Sequence, residues 1–366
     1  MKTTAALATA PNTPLTIAEL EIGAVAPGEL RVRMVASGVC HTDAIVRDQW
    51  YPTPLPAVLG HEGAGIVEEV GVGVVGFAVG DRVLLSYSAC GRCPRCVTGE
   101  ASYCENLFAL NFSGRRLDGS AAFSLAGAPV SSHFFGQSSF AALTNVPAGC
   151  AVKVDADAPL EILAPLGCGI QTGAGAVFNV LQPEVGSSLA VFGAGAVGLS
   201  AVMAAKVAAC SVIVAVDRDA RRLKLAEELG ATHTVLVEDG NPAEDVRGIT
   251  GRGVRYAVET TGVPAVFTAM TESLAPRGVA GVLGASALGT RASLDIGSLL
   301  PMGITIKMIT EGDSIPSVFI PQLIELHGSG QFPFDRLIKT YPFDQINEAF
   351  EDSALGTTLK PVVVFP

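Results

Sequence analysis

The sequence predicts an α/β protein in which a mostly β region precedes a doubly wound parallel sheet. Up to about residue 165, short alternating apolar runs such as Leu30–Val35, Ala64–Val70 and Arg82–Leu85 are separated by Gly and Pro turns, a pattern typical of strands. From about residue 186, buried β-runs alternate with helical segments. Successive βαβ units require a parallel sheet with right-handed crossovers, so the second region is predicted to be doubly wound.

The second domain is predicted to span residues 170–309. SSLAVFG and SVIVAVD are strand-like and are followed by the helical stretches AVGLSAVMAAKVAA and ARRLKLAEELG, and further β-runs lie at Val254–Glu259 and Gly278–Gly284. After a β-run at Ile304–Thr310, helical patterns occur at Val318–His327 and Asp344–Ala354, and the chain ends in the apolar strand PVVVF. We expect this tail, residues 310–366, to complete the first domain, residues 1–169.

Composition excludes several classes of function. A chain of 366 residues has room for two domains. Its apolar runs are broken by Gly or Pro before they reach the roughly 18 residues of a membrane span, so no membrane partner is predicted. The net charge of −11 and the scattered basic residues argue against a nucleic-acid partner. The N-terminus is too polar for a signal peptide. We expect a cytoplasmic protein that binds small molecules and copies of itself.

A glycine motif opens the second domain. GAGAVG places Gly193, Gly195 and Gly198 at G-x-G-x-x-G positions, directly after a buried strand and at the start of a helix. Asp217 ends the next strand, where a carboxylate accepts hydrogen bonds from the adenosine ribose. This carboxylate would repel the 2′-phosphate of NADP, so NAD is predicted, although the adjacent Arg218 leaves room for NADP. A glycine-rich turn without a ligand is the alternative.

Four closely spaced cysteines predict a metal site. Cys90, Cys93, Cys96 and Cys104 form C-x2-C-x2-C-x7-C, with a glycine and a proline to bend the loop. Four thiolates at this spacing can form a closed tetrahedral cage around one Zn²⁺, which indicates a structural site. An iron-sulfur cluster and a redox cysteine cluster are the alternatives.

A second group of candidate ligands is dispersed along the chain. It comprises Cys40 in SGVCHTD, His61 and Glu62 in GHEGAGIVEEVG, and Cys168 in LGCGIQTGAG. Each alone would more often be an ordinary core residue. The order of these motifs, the four-cysteine loop and the glycine motif resembles the zinc-containing alcohol dehydrogenases of the medium-chain family. The stretches CHTD, DQWYPTPLPAVLGHEGAG and TLKPVVVF are most similar to the benzyl or aryl alcohol dehydrogenase branch.

The resemblance implies the fold and the metals. It implies a GroES-like, mostly β catalytic domain plus a Rossmann domain with a doubly wound parallel sheet. It also implies two zinc ions per chain, a structural ion at the four-cysteine loop and a catalytic ion held by Cys40, His61 and Cys168. Alcohol dehydrogenases are themselves the standard example of a two-cysteine, one-histidine catalytic site with an open fourth position.

The resemblance also implies roles near the catalytic metal. Glu62 matches an acid beside the metal, which ligates it transiently in the family. Asp43 matches the acid that orients the zinc-binding histidine. Thr42 matches the hydroxyl that receives the proton of the alcohol.

Four further residues match cofactor and substrate positions of the family. His41 and Lys360 match bases that contact the cofactor phosphates, and Arg222 matches a base on the adenosine side. For each of the three, an ordinary surface charge is the alternative. Tyr51 matches a wall of the substrate pocket, and Trp50 is adjacent to it in the sequence.

One position departs from the family pattern. Many relatives pass the proton onward to a histidine five residues after the first zinc-binding cysteine, and here that residue is Ile45. An aliphatic side chain cannot carry a proton. We expect a shortened relay, in which Thr42 and the ribose hydroxyls deliver to water, or an exit shaped by His41 or Arg47.

The predicted function is therefore reversible, zinc-dependent transfer of hydride from a primary alcohol, aromatic or allylic, to NAD, with an aldehyde as the product. One alternative is a glutathione-dependent formaldehyde dehydrogenase, which favours a cationic pocket that the apolar Trp50–Leu55 stretch does not support. Another is a non-catalytic nucleotide-binding zinc scaffold. The family further implies a homodimer or homotetramer, joined through an exposed strand edge at Ile304–Thr310.

Overall fold

The computed structural model describes residues 1–366. Its strands, in chain order, are β1 (Lys2–Ala8), β2 (Thr16–Ile22), β3 (Glu29–Gly38), β4 (Ala57–Val58), β5 (Glu62–Val70), β6 (Arg82–Leu85), β7 (Phe123–Leu125), β8 (Ala128–Val130), β9 (Leu143–Pro147), β10 (Ala151–Val154), β11 (Ser188–Phe192), β12 (Val212–Asp217), β13 (His233–Leu236), β14 (Val254–Glu259), β15 (Leu274–Val282), β16 (Thr305–Met308), β17 (Ile338–Pro342) and β18 (Lys360–Val364).

The α-helices are α1 (His41–Arg47), α2 (Pro94–Val97), α3 (Leu107–Asn111), α4 (Leu160–Leu163), α5 (Gly169–Gly175), α6 (Ala196–Val207), α7 (Ala220–Leu229), α8 (Pro242–Thr250), α9 (Pro264–Glu272), α10 (Ile296–Leu299), α11 (Pro316–Gly328) and α12 (Ile346–Leu355). A π-helical segment, Ala176–Leu181, follows α5. No single helix is long and apolar enough to cross a membrane, and only the bent pair Leu160–Gly167 and Gly169–Leu181 reaches the required length and composition when taken together.

The chain divides into two compact units. The first contains Met1–Cys168, Ile315–Ile324 and Asp335–Pro366, and the second contains Gly169–Ser314 and Glu325–Phe334. The division after Cys168 lies one residue before the predicted one. Residues 310–314 and the segment Glu325–Phe334 lie in the second unit, whereas the prediction placed both in the first domain. Within this segment the ring centroids of His327 and Phe334 lie 4.6 Å apart. A contact of this kind cannot be predicted from the sequence pattern.

The first unit contains two sheets around one apolar core. The smaller sheet has the order β4-β1-β2-β7-β8, and the larger has the order β10-β6-β5-β3-β18-β17, with β9 also paired to β3. In the larger sheet Gly38 of β3 lies opposite Glu62 of β5 on one side and Val362 of β18 on the other. The sheet therefore brings together three segments that are remote in sequence.

The second unit contains a six-stranded parallel sheet with the order β13-β12-β11-β14-β15-β16. The first strand of this unit, β11, lies in the middle, and the order reverses between β11 and β14. This is the doubly wound arrangement that the sequence predicted, so the α/β fold class is confirmed. The edge strand β16 leaves Met308 68% exposed. Self-association through this edge stays a prediction.

Several elements differ from their predicted bounds at the ends. The predicted strand Leu30–Val35 extends to Gly38, because its last three residues pair with β18. The predicted strand Ile304–Thr310 is shorter, because only four of its residues pair with β15. Pairing with a partner remote in sequence determines where a strand ends, and the local pattern does not contain that partner.

Candidate metal centres and nucleotide site

Four potential metal ligands meet in the first unit. Cys40 immediately precedes α1, His61 and Glu62 lie at the start of β5, and Cys168 follows the turn after α4. One ligand atom of each lies within 4.8 Å of the others. Three of the four side chains are buried, and Cys40 is half-buried. The structure thus brings together dispersed residues that only the family resemblance had linked.

Asp43 positions two of these ligands at once. It is fully buried in the first turn of α1, and its Oδ2 accepts a hydrogen bond from the backbone N–H of Cys40 at 2.9 Å. Its Oδ1 accepts from the N–H of Gly60 at 3.0 Å and lies 2.9 Å from Nδ1 of His61. The carboxylate therefore holds the proton on Nδ1 and leaves Nε2 as the metal-binding nitrogen.

The donor set fits a zinc ion. Nε2 of His61 is buried and has no hydrogen-bond partner, an arrangement that is costly in a folded protein. Hydrogen bonding with Cys168 lowers the pKa of Cys40 well below its usual range; burial opposes this shift, and the charge of Lys360 reinforces it. A thiolate and an unpartnered imidazole nitrogen that face one point are what zinc binding requires.

Lys360 forms a buried ion pair with Glu62. Its Nζ donates to both carboxylate oxygens, at 2.8 and 2.9 Å, and the two side chains are only 3% and 0% exposed. Burial alone would lower the pKa of Lys360, but the charges of Glu62 and Cys40 outweigh it and raise that pKa. In the structure Lys360 therefore neutralises Glu62 beside the metal ligands. Its predicted contact with a cofactor phosphate stays a prediction.

The four-cysteine loop forms a compact sulfur cluster. Each Sγ atom lies within 4.8 Å of the others, and none is in a disulfide. The N–H of Cys93 donates to Cys90 Sγ and that of Cys90 donates to Cys104 Sγ, both at 3.3 Å. Backbone amides of Arg92 and Cys93 lower the pKa of Cys90 to about 6. These bonds prepare Cys90 as a thiolate, whereas burial raises the pKa of Cys104. Four sulfur atoms this close together fit a closed tetrahedral zinc site.

The glycine motif in the second unit forms a tight turn between β11 and α6. A Cβ added at Gly198 would lie 1.8 Å from the carbonyl oxygen of Gly193, so only glycine fits there. The carboxylate of Asp217 accepts hydrogen bonds from the N–H groups of Ala194 at 2.6 Å and Asp219 at 2.9 Å. The turn thus presents the start of a 12-residue helix to a ligand, and it fits a dinucleotide.

The remaining predicted residues are dispersed around these centres. Thr42 lies close to the metal ligands, with its Oγ1 3.9 Å from Cys40 Sγ. His41 and Ile45 line a cavity of about 300 Å³ beside Cys40. The guanidinium of Arg47 donates to both oxygens of Asp48, at 2.7 and 2.9 Å, so it is already engaged. In the second unit, Nε of Arg222 is buried without a hydrogen-bond partner.

Two family models match the chain. Residues 26–156 match the alcohol dehydrogenase GroES-like domain, and residues 196–327 match the zinc-binding dehydrogenase family. Geraniol dehydrogenase from Castellaniella defragrans is 44% identical over 354 residues, which are 96% of this chain and 95% of that protein. The chain belongs to the zinc-containing medium-chain alcohol dehydrogenases.

Solved structures of this alcohol dehydrogenase family are similar over the whole chain. A zinc-binding-domain alcohol dehydrogenase protein from Burkholderia ambifaria is 54% identical with a TM-score of 0.97, covering 100% of this chain and 99% of its own. Benzyl alcohol dehydrogenase from Acinetobacter calcoaceticus is 46% identical with a TM-score of 0.97, and each chain is covered completely. The predicted GroES-like and Rossmann folds are thereby confirmed.

In an alcohol dehydrogenase these residues have defined tasks. Cys40, His61 and Cys168 would hold the catalytic zinc, and this family is itself the standard example of that ligand set. When bound, the zinc supplies Lewis-acid activation of an alcohol or carbonyl oxygen. Asp43 orients the imidazole, and Lys360 compensates the charge of Glu62 so that the protein adds no net charge there beyond the ligands.

An aromatic wall lies beside His61, and most of its residues were not predicted from the sequence. The wall consists of Tyr51, Phe108, Phe112, Phe134 and Phe135. The Phe135 ring stacks on the His61 ring at 4.5 Å between centroids, and Phe134 meets the same ring edge-on at 5.4 Å. The two adjacent phenylalanines in HFFG were the only signal of this wall in the sequence, but such a pair more often belongs to an ordinary hydrophobic core.

The aromatic wall continues outward from the metal ligands to the surface. Phe112 contacts Phe134 and Phe135 edge-on, at 6.0 and 5.3 Å. Tyr51 contacts Phe112 at 5.8 Å and Phe108 at 6.4 Å, and Phe108 is 52% exposed. Phe135 adopts φ 51°, a left-handed conformation that is uncommon for an aromatic residue and typical of functional sites. The backbone is strained where it presents this ring to His61.

Proposed function

We propose that this alcohol dehydrogenase oxidises primary alcohols with an aromatic ring or an allylic group to their aldehydes. The glycine turn would hold NAD⁺, which supplies the acceptor for the hydride of the alcohol carbon, and Thr42 would receive the hydroxyl proton and pass it to solvent. The observation that carries the proposal is the aromatic wall, which begins at the metal ligand His61 and extends to the surface.

The wall supports a flat apolar substrate. Aromatic rings prefer edge-to-face and offset contacts with one another, which a benzyl ring or a planar allylic group could extend. Relatives named as geraniol and benzyl alcohol dehydrogenases act on an allylic and an aromatic alcohol, as their names state. None of the five wall residues offers a positive charge, so the wall does not favour the charged adduct of a formaldehyde dehydrogenase.

NAD is the proposed hydride acceptor. Asp217 ends β12 with its carboxylate beside the glycine turn, where the adenosine ribose of a dinucleotide would lie. An anionic side chain at that point repels the additional phosphate of NADP. The unpartnered Nε of Arg222 supports a ligand on the same side.

The cysteines support two zinc ions per chain and a cytoplasmic location. None of the eight cysteines is in a disulfide, and six of them belong to the two ligand groups. Free thiols in such numbers persist in a reducing compartment. Metal counting on the purified protein tests the first statement and is included in the experiment below.

We expect NAD reduction with benzyl alcohol to require a removable metal. The experiment follows absorbance at 340 nm before chelation, after chelation and after Zn²⁺ is restored, with the metal content measured at each stage. We expect activity to disappear when the metal content falls from two ions to one, and to return with Zn²⁺. We also expect kcat/KM for benzyl alcohol to exceed that for ethanol by about 10- to 200-fold. Burying a phenyl ring stabilises a complex by about 1.5–3 kcal/mol, which corresponds to a factor of this size. Equal or better specificity for ethanol would overturn the proposed substrate class.

Ile45→His is expected to change the pH dependence of hydride transfer. Ile45 lines the cavity beside Cys40, where an imidazole could accept a proton that an aliphatic chain cannot. Single-turnover measurements over a pH range should show a new titration near the ordinary pKa of histidine, about 6.5. Ile45→Leu is the control. An unchanged profile in Ile45→His would mean that the missing relay has no kinetic consequence.

A further inference from the structure

We infer that Asn111 is a positioning residue through which the four-cysteine loop holds the aromatic wall in place. Selectivity for aromatic alcohols would then depend on a part of the molecule that contributes no ligand to the catalytic metal. The inference rests on the proposed function for its kinetic consequence, but its geometric part can be measured independently.

Asn111 connects the wall to the start of the four-cysteine loop. It is fully buried at the end of α3, between Phe108 and Phe112. Its Oδ1 accepts from the N–H of Ser88 at 2.8 Å, and its Nδ2 donates to the Ser88 carbonyl at 2.9 Å. A side-chain amide thus pairs with both backbone groups of one residue. Ser88 lies two residues before Cys90, the first cysteine of the loop.

The last cysteine of the loop fixes the other end of α3. The N–H of Asn106 donates to Cys104 Sγ at 3.4 Å, and the N–H of Leu107 donates to the Cys104 carbonyl at 2.8 Å. Helix α3 has five residues, and isolated helices shorter than roughly 12 residues are marginal in water. Its position therefore depends on these external bonds, which lead at both ends to the four-cysteine loop.

The other half of the wall also rests on Ser88. Gly136 directly follows Phe135, and a Cβ added there would lie 2.9 Å from the Ser88 Cβ and 2.7 Å from Cys150 Sγ. Ser88 is thus packed between α3 and the turn that presents Phe134 and Phe135. Both halves of the wall are therefore positioned by contacts with the same residue.

One further hydrogen bond links α3 to the segment of Tyr51. The buried Thr53 hydroxyl donates to the carbonyl of Phe112 at 2.8 Å. It is independent of Asn111, and an isosteric valine would remove it with little change in volume.

Asn111→Ala tests the inference against a matched control. Asn145 is also buried, accepts a hydrogen bond from Arg31 at 3.2 Å and donates to two backbone carbonyls, and none of these bonds involves a wall residue. We expect Asn111→Ala to raise KM for benzyl alcohol by about tenfold, a typical scale for misplaced aromatic contacts, and to leave kcat/KM for ethanol within about twofold. Asn145→Ala should change neither KM for benzyl alcohol nor kcat/KM for ethanol. Both variants should retain their metal content.

Thr53→Val provides a second variant that preserves the buried amide pair. We expect Thr53→Val to raise KM for benzyl alcohol as well, but only by about threefold. The result that overturns the inference is an equal loss of activity toward ethanol and benzyl alcohol in both folded variants.

Near-ultraviolet circular dichroism separates this inference from the proposed function. The phenylalanine and tyrosine bands report the asymmetric packing of the wall without any substrate. If the unmodified enzyme showed no preference for benzyl alcohol, the proposed function would fail. The positioning role would still stand if Asn111→Ala weakened these bands relative to Asn145→Ala, and equal spectra would contradict it.

Discussion

Replacing His61 by alanine should lower kcat/KM for benzyl alcohol by about 10³-fold or more and reduce the metal content from two ions to one. The side chain offers a buried Nε2 without a hydrogen-bond partner, while Asp43 occupies its Nδ1. Without this imidazole only Cys40 and Cys168 remain of the three proposed ligands, because Lys360 engages both oxygens of Glu62. Lewis-acid activation supplies several kcal/mol, and about 1.4 kcal/mol corresponds to a factor of ten in rate.

His133→Asn is the matched control for this substitution. His133 is a buried histidine of the same unit, and its Nε2 lies 3.0 Å from Glu29 Oε1. It adopts φ 60°, a conformation that asparagine tolerates well. This variant should keep two metal ions and most of its activity. If His61→Ala retained two metal ions and an activity within tenfold of the unmodified enzyme, His61 would not be a metal ligand.

Lys360→Met should cost about 3–5 kcal/mol of stability, because it leaves the Glu62 carboxylate buried without its partner. The pair is 3% and 0% exposed, with both oxygens engaged by one ammonium group. In a unit of this size the loss corresponds to a fall in unfolding temperature of roughly 10 °C. Calorimetry of the metal-loaded protein measures it.

Two further variants identify the cause of the Lys360 effect. Lys360→Met combined with Glu62→Gln removes the unpaired charge and should recover most of the lost stability. Lys339→Met breaks an exposed pair with Asp352, whose atoms lie 2.9 Å apart, and should change the unfolding temperature little. A Lys360→Met protein that unfolds normally but binds NAD weakly would instead support the phosphate contact predicted from the sequence.

Predictions from local patterns were the most successful. The strands β12 and β14 correspond closely to β-runs predicted from the sequence, because strands buried on both faces consist mainly of apolar residues. The C-x2-C-x2-C-x7-C loop closes on itself within fifteen residues, so its spacing alone indicated a shared metal. The glycine motif likewise requires only one strand, one turn and one helix.

Contacts between distant segments could not be predicted in this way. Lys360 meets Glu62 because β3 lies between β5 and β18, and no spacing in the sequence specifies that order of strands. Resemblance indicated Lys360 as a phosphate contact, while the structure shows where its ammonium donates. The same limitation applies to Phe112 and Phe135, whose rings meet although 22 residues of chain lie between them.

The sequence by itself determined the α/β class, the doubly wound second domain, the four-cysteine loop and the glycine turn. Each depends on periodicity or on spacing within one short segment, which local backbone geometry translates directly into structure. Only the tertiary structure decided which side chains surround His61, what neutralises Glu62 and how Asn111 ties α3 to Ser88. These contacts arise from sheet order and burial, and the free energy that fixes them comes from packing between segments that are distant in the chain.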